Sequence, residues 1–133
     1  MKENVTLTVT SLLTILFLTF HLSDEITRGM EPGRLNMVVP VLLLGGWAYA
    51  TLALAGRRSG YIILLLGAIL GMGVPIVHMS GAGLVSSRIA NSRGAFFWVW
   101  QNFTLGVLSV CSLILAARGL WRLPWRRQRS QNP

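Results

Sequence analysis

Four long apolar runs separated by short polar connections limit this chain more than any other feature. They cover residues 5–22, 35–55, 61–79 and 96–117. At about 1.5 Å per residue, the first run would be roughly 27 Å long as a helix, close to the hydrocarbon thickness of a bilayer. Lipid offers no partner to a backbone N–H or C=O, so each run must satisfy its own groups as an α-helix. The expected fold is therefore all-α: an integral membrane four-helix bundle with short loops. Residues 1–120 form the transmembrane domain, and residues 121–133 a basic tail that is interfacial or disordered.

Composition agrees with lipid as the solvent. Charged residues make up 12% of the chain and apolar ones 53%, with a mean hydropathy of +0.58. A soluble surface usually needs about twice that charge. The net charge of +8 does not point to nucleic acid, because the basic residues sit between and after the apolar runs rather than in a patch with base-stacking aromatics. The single cysteine, Cys111, lies inside an apolar run, which excludes an intrachain disulfide and a CxxC centre. The first run follows Lys2 but is succeeded by Ser23, Asp24 and Glu25 rather than a small-residue cleavage site, so it reads as a retained helix.

Orientation follows from the basic residues on each side. Lys2, Arg57, Arg58, Arg118, Arg122, Arg126, Arg127 and Arg129 fall on one side, and Arg28, Arg34, Arg88 and Arg93 on the other. Both termini are expected in the cytoplasm of a bacterial cell, with the protein multi-pass in the inner (plasma) membrane. Trp98 and Trp100 then suit an outer aromatic belt. Trp121, Arg122, Trp125, Arg126 and Arg127 would hold the tail against anionic lipid, each basic residue contributing about 1 kcal/mol.

Membrane helices associate through close packing and polar contacts, so small residues mark candidate buried faces. The third run aligns Gly60, Gly67, Gly71 and His78 within about 40° at 100° per residue. The second aligns Gly46, Ala50 and Ala53; the fourth Asn102, Gly106, Ser109 and Ala116; the first Thr6, Thr10, Thr14 and His21. Gly46, Ala50, Gly67, Gly71 and Gly106 are the expected helix-packing positions. Pro75 is expected to kink the third helix. The threonines either line a polar path or bond back to their own helix.

The chain has two histidines, His21 and His78, near the ends of helices that run in the same direction. Helix counting puts both at one membrane face, the outer one by charge. Asp24 and Glu25 follow His21 at i+3 and i+4. Two imidazoles and a carboxylate suit a divalent transition metal, with His21, Asp24 and His78 as the candidate ligands. His21 and His78 alone suit a haem, and a histidine beside a carboxylate suits proton transfer. The reading preferred to all of these is a pair of interfacial histidines that favour a helix C-terminus and hold no cofactor.

No HExxH, catalytic triad or phosphate-binding loop is present, and the loops are too short for a catalytic domain. The leading expectation is a non-enzymatic structural or accessory subunit, assembling with copies of itself or with a larger membrane complex. A haem- or metal-binding protein and a small-solute carrier are the alternatives.

Overall fold

The computed structural model describes residues 2–29, 38–80, 89 and 91–123. Among them the chain is entirely helical: α1 (Lys2–Thr27), α2 (Val38–Ala53), α3 (Arg58–Ser80) and α4 (Ala95–Arg122). Three segments, Asn4–Thr27, Arg58–Ser80 and Ala95–Arg122, are long and apolar enough to cross a membrane. α2 has 16 residues, about 24 Å, and falls short of the ~20 residues a span needs. The start of the expected second run, 35–37, lies outside the described residues. So do Trp125, Arg126 and Arg127.

Two helices run past their expected ends. α1 continues through the segment read as a loop, to Thr27. Ser23 donates to the Thr19 carbonyl at 2.8 Å and Thr27 to the Asp24 carbonyl at 2.9 Å, while Asp24 pairs with Arg28 one turn on. These polar residues satisfy themselves locally, so the helix need not stop where hydropathy falls. α4 likewise continues from the apolar run to Arg122, through Trp121. Trp121 is 90% exposed.

α1 and α3 both pack on α4, while α2 rests on α1 and α3 and does not approach α4. Gly67 takes the Trp47 ring against its backbone: a Cβ there would lie 2.6 Å from the indole. Gly71 does the same for Ser109, at 2.5 Å, and Gly106 receives Pro75 at 3.4 Å. Ala50 is fully buried. Gly46 does not join this interface; it is exposed and a Cβ there meets nothing within 4 Å. The inward face of α2 is instead Trp47, Ala50 and Thr51, because the large indole fills the gap to α3 and turns Gly46 outward. Replacing Gly67 with valine should therefore destabilise the fold by about 1–3 kcal/mol through overpacking. Gly46→Ala should be near neutral. Thermal unfolding in detergent micelles, followed by circular dichroism, compares the two.

Polar side chains share the interior with apolar ones. Ser11, Thr14, His21, Thr51, Gln101, Asn102, Ser109 and Ser112 are at most 1% exposed. On α1 the buried line is Leu7, Ser11, Thr14 and His21; Thr6 is exposed and Thr10 half-buried. Thr10 and Thr14 donate back to the carbonyls of Thr6 and Thr10, at 2.7 and 2.8 Å, so the expected threonine stripe satisfies itself within its own helix. A closed ring of bonds ties α1 to α2. The Trp47 indole N–H donates to Ser11 Oγ at 2.9 Å, Ser11 and Thr51 share a bond of 2.8 Å, and Thr51 donates to the Trp47 carbonyl at 2.8 Å. With the Thr51 hydrogen on that carbonyl, Ser11 must be the donor to Thr51, and every proton in the ring has one acceptor.

Candidate metal centre

α1 and α3 bring His21, Glu25 and His78 to one end of the helices. Three single atoms converge there. His21 Nε2 and His78 Nε2 are 3.1 Å apart. Glu25 Oε1 lies 3.4 Å from His21 Nε2 and 3.2 Å from His78 Nε2. The His21 side chain is 2% exposed, Glu25 18% and His78 22%.

With Glu25 ionised, hydrogen bonding alone cannot make this triangle attractive on all three edges. If both Nε2 atoms carry protons, each can donate to Glu25, but two N–H groups then meet across the 3.1 Å edge. If only one carries a proton, the bare Nε2 faces an ionised carboxylate oxygen, lone pair against lone pair. A cation at the centre reverses every one of these repulsions. The size also fits. Ligands about 2.0–2.1 Å from a tetrahedral ion stand about 3.3–3.4 Å from one another. The observed edges of 3.1–3.4 Å are close to that.

The sequence pointed to Asp24 as the carboxylate, and the structure brings Glu25 to the histidines instead. Asp24 Oδ2 accepts from Arg28 Nε at 2.8 Å and from Gln101 Nε2 at 3.5 Å. The reason is helical spacing: Glu25, at i+4, stacks on His21, and Arg28, at i+4 from Asp24, claims Asp24. The acidic–basic pair one turn apart was the signal available in the sequence. A haem between His21 and His78 does not fit this arrangement, because the rings are in direct contact and no plane separates them.

Trp98 was expected in an outer aromatic belt, but it is 1% exposed and forms the wall of the site. Its ring lies 5.0 Å from His21 and 5.1 Å from His78. It shares the inward face of α4 with Gln101, Asn102, Leu105, Ser109, Ser112 and Ala116, at spacings of three and four. Trp100 is the exposed member of the pair, at 55%. Behind Trp98 the Arg28 guanidinium sits 5.7 Å from the ring centroid, within cation–π range. Arg28 also donates to Ser92 Oγ at 2.5 Å, tying the end of α1 to the turn before α4.

No protein-family model matches the sequence, and no curated protein or solved structure is significantly similar to it. The chemistry of the site therefore has to be argued from its atoms. Among the described residues, four buried polar atoms have no hydrogen-bond partner: His21 Nδ1, Gln101 Oε1, Asn102 Oδ1 and Ser109 Oγ. Two of them, on Gln101 and Asn102, are in the turn of α4 that follows Trp98. Asn102 is held by its amide, which donates to the Trp98 carbonyl at 2.9 Å, leaving its oxygen available. A histidine that binds metal through Nε2 keeps a proton on Nδ1, and that proton needs an acceptor or a water. Among the described residues no protein acceptor reaches His21 Nδ1, so that proton is left to a water.

Proposed function

We propose that this chain is a polytopic membrane protein whose role centres on one divalent transition-metal ion held by His21, Glu25 and His78. The observation that carries the reading is the three-atom triangle, which with Glu25 ionised becomes attractive along every edge only around a cation. Zinc suits it best: two imidazoles and one carboxylate around a small tetrahedral ion is an established donor set. The remaining architecture is proposed with it. The chain crosses the bilayer four times as a bundle, and both termini lie in the cytoplasm. The excess of Lys and Arg on the terminal side supports that orientation, and the metal centre then faces outward in a bacterial plasma membrane.

The test is a zinc titration of the purified full chain in mild detergent after stripping with a chelator. One equivalent per chain is expected, absent from a His21→Ala/His78→Ala double variant that still folds. Equal zinc uptake by parent and double variant would sink the proposal.

A role as a subunit of a membrane assembly is the second reading, and the two are compatible. It is favoured by an open apolar groove of about 460 Å³ lined by α2 and α3 residues that include Leu42, Gly46, Ile63 and Gly67. No feature of the site favours a solute carrier over these readings.

A further inference from the structure

The candidate centre has three protein donors and an asymmetric exposure. We infer that its metal keeps one exchangeable coordination position, directed to the Glu25–His78 side, which takes water or a small anionic ligand. The inference rests on the metal reading above and adds a binding site to it.

The donor inventory comes first. A tetrahedral ion needs four ligands, and sites closed for structural purposes draw all four from the protein, whereas three protein ligands leave room for a small molecule. Among the described residues the cluster stops at His21, Glu25 and His78. The rest of the chain has few donors to add. Asp24 is engaged with Arg28. Cys111 is exposed on α4, two to three turns beyond Gln101. Glu3 sits at the opposite end of α1. That leaves Glu31, outside the described residues, as the one further acid in the sequence.

Exposure gives the direction. His21 is sealed beneath Trp98, while Glu25 and His78 keep about a fifth of their side-chain surface open. Solvent and ligands therefore reach the ion from the Glu25–His78 side. A small anion suits the open position on charge, because two neutral imidazoles and one carboxylate leave a divalent ion with net positive charge.

Cobalt substitution tests this with the full chain in detergent. Co²⁺ loaded at one equivalent should give visible bands of a four-coordinate ion. Azide or thiocyanate should then shift those bands, saturating at one anion per cobalt. Glu31→Gln should leave the shift unchanged. Stoichiometric cobalt with bands that no anion moves would overturn the open position, and so would a shift that appears only in Glu31→Gln, since Glu31 would then be filling it. Failure to bind cobalt at all would overturn the metal reading itself, and the open position with it.

Discussion

His78→Ala is expected to weaken zinc binding by about a hundred- to a thousandfold while leaving the helices folded. The magnitude comes from the donor count. Structural zinc sites with four protein ligands are worth about 10–16 kcal/mol, so one donor accounts for roughly 2.5–4 kcal/mol. His78 is the right residue to remove because its ring is only partly buried, so truncation leaves a smaller void than at His21. The variant also separates the readings of the cluster. If His21, Glu25 and His78 were merely hydrogen-bonded, His78→Ala would lower stability modestly and change no metal affinity. Competition of parent and variant against a chromophoric zinc chelator gives the ratio of dissociation constants. A ratio near one would exclude His78 as a ligand. Asp24→Asn is the useful companion. Asp24 pairs with Arg28 and not with the histidines, so this change should move zinc affinity far less.

Trp98→Ala should produce the largest loss of stability of any single change proposed here, about 3–5 kcal/mol. The indole is almost wholly buried and is packed against His21, His78 and Arg28 at once. Removing it leaves a cavity at the point where α1, α3 and α4 meet. Trp98 is a positioning residue, since it sets the two imidazoles without touching the ion. Residues that orient metal ligands typically contribute about 10- to 100-fold in affinity. Trp98→Phe keeps a ring in the same place and should recover most of both losses. Unfolding by heat and zinc affinity well below the transition should be measured on all three proteins. If Trp98→Ala unfolds readily but binds zinc as tightly as the parent when folded, the positioning role fails and a packing role remains.

The legible part of the fold was the part written in hydropathy and helix direction. The four apolar runs correspond to four helices, and the count of reversals alone puts His21 and His78 at the same end. Helix ends were less legible. Hydropathy drops at Ser23, yet the backbone stays helical because local side-chain bonds replace the apolar drive. Contacts that depend on the rotation of one helix against another were hidden. Nothing in the sequence of α2 says that Trp47 rather than Gly46 turns inward, since both lie on plausible faces of an almost uniformly apolar segment. Trp98 was misread for a similar reason: a tryptophan near the end of an apolar run suits an interface as well as a buried site. Its partners come from helices far away in sequence. The choice between Asp24 and Glu25 was decided by Arg28, a residue assigned by the apolar pattern to a loop.

The proposed centre would draw its donors from α1 and α3 and none from α2, and on the membrane reading that has a consequence for biogenesis. His21 and Glu25 would be made early and inserted with the first helix. His78 arrives 57 residues later in the chain than His21, after the next hairpin has been built. An ion captured at the translocon by the first helix alone would have two donors and would exchange readily. On that reading tight loading would have to wait until α3 is in place, so metal occupancy would report that α1 and α3 have come together.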